Sequence, residues 1–176
     1  MTARTSTLIV FLLAASLAIA RPAAAQSAAR WDVFAGYAFD RDVVDDVNLD
    51  TGWAASVARG MNGWLSVVAD VSGARTTIAA TGTDVTLASV TAVAGAKVAA
   101  RVGPFVEFGE LLAGVTRTQG TAFGVTSTTT RRVVQAGGGL DYPIGRRLAA
   151  RAQVDVRVTS VGRDYRVAAG LAVLIR

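Results

Sequence analysis

Polar side chains alternate with valine and alanine near the C-terminal end of the chain, in the stretch RAQVDVRVT at 151–159. Arg151, Gln153, Asp155 and Arg157 share one face of any strand formed here, because successive side chains of a β-strand point to opposite faces. Such a face is suited to ion pairing. It would meet water on a soluble β-sandwich and would line the interior of a membrane barrel, so the rest of the chain must decide between them.

Residue content limits the other chemistry. The sequence has no histidine and no cysteine, so Ser-His-Asp and Cys-His arrangements and histidine-based metal sites are excluded. An Asp/Glu pair or a Ser-Lys arrangement is formally open, but no motif supports either. We therefore expect no enzymatic activity, no cofactor and no metal centre.

Two polar segments are candidate binding loops. The first is acidic and comprises Asp40, Asp42, Asp45, Asp46, Asn48 and Asp50. Its oxygen ligands suit Ca²⁺, although the spacing is not that of an EF-hand loop, and a solvated loop is the simpler interpretation. The second candidate is a threonine-rich pair of loops, 75–86 and 118–132. There Arg131 and Arg132 are candidate contacts for lipopolysaccharide phosphates, against the simpler interpretation of mobile hydrophilic loops.

The N-terminal 25 residues have the pattern of a Sec-type signal peptide. Arg4 supplies the positive region, Leu8–Ile19 the apolar core, and Ala23–Ala25 the small-residue cleavage motif. We predict cleavage after Ala25, leaving 26–176 as one domain. Without Arg4 and Arg21 the net charge falls from +5 to about +3, which is too weak and scattered to favour nucleic acid.

Eight segments have the composition and length of strands that cross a bilayer. They lie at 31–40, 51–59, 64–74, 87–98, 104–117, 133–142, 148–159 and 166–176. Tight turns alternate with longer polar connections, which are predicted at 41–50, 75–86, 118–132 and 160–165. Short turns at one end and long loops at the other are typical of an outer-membrane barrel.

The aromatic residues sort by strand end. With the N-terminus on the periplasmic side, Trp31, Trp64, Phe105 and Tyr142 fall at periplasmic ends, and Phe39, Trp53 and Tyr165 near opposite ends. Two bands of amphipathic rings are favoured at the two interfaces of a membrane. We therefore interpret six of them as interface aromatics, namely Trp31, Phe39, Trp53, Trp64, Phe105 and Tyr142.

One face of each segment is aliphatic, and the other mixes small residues with isolated charges. If the aliphatic face meets lipid, the interior holds a polar network of Asp70, Lys97, Glu110, Gln135, Asp141, Arg151, Gln153, Asp155 and Arg157. A static plug is the favoured function because eight strands leave little bore, and a salt-bridge gate is the alternative. Glu107 and Glu110 have opposite parity, so one faces outward or a β-bulge shifts the phase.

The chain resembles the small outer-membrane β-barrel family, OmpA-like in architecture. The resemblance is carried by WDVFAGYAF, GWAASVARGMNGWLSVVADVSG, VAGAKV, PFVEFGELLAGVTR and QAGGGLDYPIGRRLAARAQVDVRV. It implies eight antiparallel strands in a Gram-negative outer membrane, usually with no assigned activity. Such barrels commonly end on an aromatic residue that assists assembly, whereas this chain ends Leu174-Ile175-Arg176, and we expect no peptidoglycan-binding domain after the barrel.

Together these features predict an all-β protein, an eight-stranded antiparallel transmembrane up-and-down β-barrel in the outer membrane. Its expected partners are outer-membrane lipid, lipopolysaccharide and the barrel assembly machinery, and not nucleic acid. The expected role is structural or surface interaction. A narrow low-conductance pore and a secreted soluble β-barrel that binds a small apolar ligand are the alternatives.

Overall fold

The computed structural model describes residues 31–42, 48–80 and 83–175, which form eight β-strands. The predicted signal peptide and residues 26–30 lie outside these ranges. The strands are β1 (Trp31–Asp42), β2 (Asn48–Gly60), β3 (Leu65–Ala80), β4 (Thr83–Val102), β5 (Phe105–Ala122), β6 (Val125–Pro143), β7 (Leu148–Thr159) and β8 (Arg163–Ile175).

Each strand pairs antiparallel with its neighbours in the chain, and β1 also pairs with β8, so the sheet closes into a barrel. The predicted eight-stranded antiparallel up-and-down barrel is therefore confirmed. Closure pairs both edges of each strand within the barrel wall, whereas β3 beyond Arg75 and β6 before Val133 are paired on one edge only. The register shifts once between β1 and β2, between Ala38 and Asp40, which places a bulge opposite Phe39. The ladder between β4 and β5 runs without a shift from Thr86 to Val102.

The barrel has two unlike ends. At the end that we call the turn end, the connections after β2, β4 and β6 are short. We call the opposite end the hairpin end. Strands β3 to β6 have 16 to 20 residues, whereas the other four strands have only 12 or 13. The central four strands therefore rise beyond the others as two hairpins.

These hairpins correct the prediction of long loops at 75–86 and 118–132. Thr77 pairs with Thr86 and Thr121 with Thr126 in continuous ladders, and their hydroxyls lie 3.4 and 3.0 Å apart. The polarity of these segments predicts loops, but threonine is β-branched and favours strands. In the β5–β6 hairpin this polarity reflects solvent on both faces, because residues 125–130 are exposed throughout.

Two glycine-containing turns use left-handed backbone conformations. The β5–β6 hairpin turns at Phe123 (φ 51°) and Gly124 (φ 73°), as in the two-residue turns whose twist matches that of the flanking strands. Gly103 (φ 61°) has the same role between β4 and β5. The last of the predicted polar connections, 160–165, is likewise only a short turn, because β8 begins at Arg163.

The two faces of the sheet are chemically different. On β7 the side chains of Val154 and Val158 are exposed on the outer wall, whereas Arg151, Asp155 and Arg157 are buried inside. The same phase holds on β3, β4 and β8, so the alternation predicts the faces correctly. No helix long and apolar enough to span a membrane occurs within the described ranges.

Candidate functional site

The interior of the barrel is the candidate functional site, because it contains a network of buried charged and polar side chains. All nine residues of the predicted polar network lie on inward faces. Eight are buried, namely Asp70, Lys97, Gln135, Asp141, Arg151, Gln153, Asp155 and Arg157, and Glu110 is intermediate between buried residues of β5. Glu107 has the opposite parity and faces outward near the turn end, with no bulge in β5.

At the turn end, a cluster of two cations and two carboxylates joins four strands. Arg151 donates from Nε and Nη2 to the two oxygens of Asp141 at 2.6 and 2.8 Å, and from Nη2 to Asp32 Oδ2 at 2.6 Å. Lys97 Nζ donates to the same Asp32 oxygen at 2.7 Å. Asp32 on β1 therefore links β4 and β7 across the bore, in a balanced group of charges.

Two phenylalanines pack against the cations of this cluster. Lys97 Nζ lies 4.3 Å from the ring centroid of Phe108, and Arg151 Cζ lies 4.9 Å from it. The guanidinium also lies 5.3 Å from the ring centroid of Phe34. The rings fill the bore around the charges and add cation–π attraction.

In the middle of the barrel, Arg166 is held by carboxylates from two strands. Its Nη1 and Nη2 donate to Asp70 on β3 at 2.7 and 3.1 Å, and its Nε donates to Asp155 on β7 at 2.8 Å. Gln153 Nε2 donates to the same Asp155 oxygen at 3.0 Å. The pairing with Asp70 is bidentate, which fixes both distance and orientation.

The carboxylate of Glu110 faces this middle cluster. Gln135 Nε2 donates to it at 3.4 Å, the charges of Asp155 and Asp70 repel it, and those of Lys97 and Arg166 attract it. Two of these three carboxylates, Asp70 and Asp155, are paired with Arg166, and Glu110 is not. Among the described residues, no hydrogen-bond donor reaches Asp155 Oδ1 or Gln135 Oε1, so the middle of the barrel has more acceptors than donors.

At the hairpin end, Arg157 is the cation of a third cluster. It pairs with Asp164 through Nε and with Asp40 through Nη2, the latter at 3.0 Å. Its Nη1 donates to the hydroxyl of Ser72 on β3, opposite in the barrel, at 3.4 Å. Asp40 thus belongs to β1 and the interior, which corrects its assignment to the acidic loop.

The remaining residues of the predicted acidic loop lie in two strands or outside the described ranges. Asp42 is in β1, and Asn48 and Asp50 are in β2. Asp45 and Asp46 lie outside the described residues. Across the described part of the chain, no three acidic side chains come together in a way that could hold a metal ion.

Sequence reasoning missed four members of the interior set: Asp32, Asp40, Asp164 and Arg166. The alternation on β8 places Arg166 on the same face as Ala168 and Ala172, so a signal for it existed. On β1 the inward face also carries Phe34 and Ala38. Because this face mixes apolar and acidic residues, the sequence does not show which face of β1 points inward.

The predicted interface aromatics are all exposed on the outer wall. Trp31, Trp64, Phe105 and Tyr142 lie near the turn end, and Phe39 and Trp53 lie toward the hairpin end. The rings of Phe105 and Tyr142 are in contact, with centroids 5.6 Å apart. Arg59 lies over the ring of Trp31, 5.5 Å from its centroid.

Comparison with protein families gives one match over nearly the whole chain. The model described as the outer membrane protein β-barrel domain matches residues 10–171. None of the curated proteins matches the chain.

Solved structures similar to this barrel come from several bacteria. Ail of Yersinia pestis, crystallised with the heparin analogue sucrose octasulfate, has 17% identity and a TM-score of 0.63, covering 81% of this chain and 96% of Ail. Neisserial surface protein A has 16% identity and a TM-score of 0.61, covering 82% and 96%. OprG of Pseudomonas aeruginosa has 11% identity and a TM-score of 0.54, covering 83% and 95%. At these identities the likeness concerns the fold alone.

Proposed function

The chain belongs to the outer membrane protein β-barrel family and is a barrel of the outer membrane; from this premise we propose that its lumen is plugged by its own ion pairs and that it acts through its outer surface. Family membership sets aside the alternative of a secreted soluble barrel. The turn end is then periplasmic and the hairpin end extracellular.

The ion pairs that cross the bore carry this proposal. Arg166 on β8 reaches Asp70 on β3, and Lys97 on β4 reaches Asp32 on β1. A barrel of eight strands has an interior just wide enough for its side chains, so pairs that reach across it occupy the space an ion would need. Phe34, Phe108 and Leu112 fill the remaining levels.

A gate is less well supported than a plug. Opening a pore would require separating several buried pairs at three levels, and each buried charge left unpaired costs several kcal/mol. The arginines of the middle and turn-end clusters each bond to carboxylates on two different strands. Those shared bonds oppose the displacement of any single side chain.

The surface role is proposed for the two extracellular hairpins. The β5–β6 hairpin presents Phe123 and Val125 at its tip, with 83% and 71% of their areas exposed. Exposed apolar side chains on a protruding element are typical of contact surfaces. We propose no catalytic role for the barrel, because the sequence supplies neither histidine nor cysteine.

Export completes the proposal. Residues 1–25 act as a Sec-type signal peptide that is removed after Ala25, and the barrel assembly machinery inserts the mature chain. Outer-membrane lipid and lipopolysaccharide are then the surroundings of the outer wall.

Planar-bilayer conductance tests the plug. We expect the wild-type barrel to give no resolvable channel current. The Asp70→Ala/Arg166→Ala double variant should give brief small openings, because it removes both side chains of a pair that crosses the bore. Arg146→Ala, a change in the exposed turn between β6 and β7, is the control and should stay silent. Folding of each protein is checked by its heat-dependent migration on SDS gels.

Steady discrete channels in the wild type would contradict the plug and favour the pore. If such channels disappear in Arg157→Ala or Asp155→Ala, the interior pairs organise a conducting path and do not block one.

A further inference from the structure

A set of arginines points outward at a single level of the barrel. Arg75 on β3, Arg117 on β5, Arg132 on β6 and Arg163 on β8 are all exposed, and each shares its parity with outward aliphatic residues of its strand. Arg132 lies 10 residues from Tyr142, Arg75 11 from Trp64, and Arg117 12 from Phe105. Since a tilted strand crosses a bilayer in about 9–11 residues, these three spacings place Arg132, Arg75 and Arg117 at or just beyond the extracellular interface.

The composition of the outer wall changes at this level. On β5, Leu111, Ala113 and Val115 precede Arg117 on the outward face, and Gln119 and Thr121 follow it. On β6 the outward residues beyond Arg132 are Thr130 and Thr128. The guanidinium groups therefore lie where the apolar wall ends, at the depth of lipid headgroups.

Arg117 and Arg132 are close neighbours on this wall. In the β5–β6 ladder Arg117 pairs with Thr130 and Val115 pairs with Arg132, so the two arginines are diagonal neighbours on one face, with Cα atoms roughly 7–8 Å apart. In the parts of the chain that are described, neither of them forms an ion pair. Two adjacent guanidiniums without a carboxylate partner repel each other unless an anion lies between them.

The structure also separates Arg131 from Arg132, which are adjacent in the sequence and are predicted as a joint contact. Arg132 faces outward, whereas Arg131 has the parity of the buried Val133 and Gln135 and faces the mouth of the barrel. The candidate contact is therefore made by Arg132 with Arg117, two residues that are distant in sequence.

We propose that Arg117 and Arg132 form a binding site for a phosphorylated lipid headgroup of the outer leaflet, the phosphate of lipid A. Guanidinium groups bind phosphate oxygens through paired N–H donors, and two of them can hold one phosphate between them. A lipid is favoured over a soluble anion because the site lies on the lipid-facing wall, below the hairpins. The inference rests on the proposed function only for the orientation of the barrel in the membrane.

Binding of lipid A to the purified barrel in neutral detergent tests this site. The probe is bisphosphorylated lipid A, followed by native mass spectrometry at increasing salt. We expect Arg117→Gln/Arg132→Gln to lower the affinity by at least about tenfold, because each arginine supplies charge-assisted hydrogen bonds. Fully dephosphorylated lipid A should bind the wild type as weakly as the phosphorylated lipid binds this variant.

The matched control is Arg131→Gln/Arg146→Gln, which removes the same charge from the barrel mouth and the periplasmic turn and should bind like the wild type. An equal loss in this control, or no loss in Arg117→Gln/Arg132→Gln, would overturn the site. Competition by inorganic phosphate at concentrations comparable with those of lipid A would overturn the lipid as its ligand.

A further variant, Arg117→Lys/Arg132→Lys, guards against a folding defect. It keeps both charges but loses the planar pairing geometry, so we expect an affinity between those of the wild type and the glutamine variant; wild-type affinity would contradict the proposed phosphate geometry. Channel current in the wild type would contradict the plug and leave this site standing, so the two proposals fail separately.

Discussion

Arg166 shows at the scale of single residues what the interior requires. Its side chain is completely buried and bonds to Asp70 on one strand and Asp155 on another. A buried cation with two carboxylates is well compensated. The same site also includes Glu110, which forms no ion pair among the described residues and is acted on by the charges of Asp155 and Asp70 as well as by those of Lys97 and Arg166. The middle cluster therefore contains one acidic residue that stabilises the barrel less than the others.

Two isosteric substitutions separate these roles. We expect Glu110→Gln to raise the free energy of unfolding by about 1 kcal/mol, because it removes repulsion from Asp155 and Asp70. Asp70→Asn should lower it by about 3 kcal/mol, because it breaks the bidentate pair of a buried arginine. Urea titration of the barrel in lipid vesicles measures both values. A loss in Glu110→Gln as large as that in Asp70→Asn would show that Glu110 serves as a counter-ion, for example to Lys97.

At the scale of elements, the seam between the first and last strands depends on close backbone approach. Gly36 on β1 and Gly170 on β8 lie directly opposite each other. A Cβ on Gly170 would lie 2.9 Å from the carbonyl carbon of Ala35 and still closer to Gly36 Cα. Only glycine allows the two strands to approach in this way, and this contact is part of what closes the barrel.

We therefore expect Gly170→Ala to lower the free energy of unfolding by about 2 kcal/mol, since backbone atoms must move to admit the methyl group. Gly63→Ala is the matched control, because a Cβ there meets no atom within 4 Å. Both are measured by the fraction folded, from heat-dependent migration across a urea series. Equal stability of the two variants would show that the seam accommodates a Cβ.

At the scale of the whole molecule, the outer wall is organised in levels. Trp31 and Trp64 lie near the periplasmic turns, Trp53 lies toward the extracellular end, and all three are exposed. Between them the wall is aliphatic, and beyond Trp53 it becomes basic and then rich in threonine. This order matches the layers of a membrane from one interface to the other.

Tryptophan fluorescence tests this arrangement, because the sequence has only three tryptophans. We expect nitroxide labels near the lipid headgroups to quench the emission more strongly than labels at the middle of the acyl chains. Trp53→Phe leaves only the periplasmic pair and serves to assign the two interfaces. Stronger quenching by the mid-chain label would contradict the two aromatic bands.

The sequence alone determined the alternating faces of the strands and, with the turn signals between segments, the number of strands and the fold class. It also predicted nine interior residues, which lie on inward faces of the barrel. Period-two alternation is a local property, and so it can be recognised without coordinates. The same reasoning mistook the threonine-rich hairpins for loops, because polarity indicates exposure and not the absence of backbone pairing.

Only the tertiary structure decided which charges are partners. Lys97 lies opposite Glu110 in the ladder, yet its ammonium bonds to Asp32 across the bore. Arg166 likewise reaches Asp70, 96 residues away in the chain. These choices depend on the diameter of the closed barrel and on the stagger of its strands. Both are set by closure of the whole sheet, and no single segment of the chain contains them.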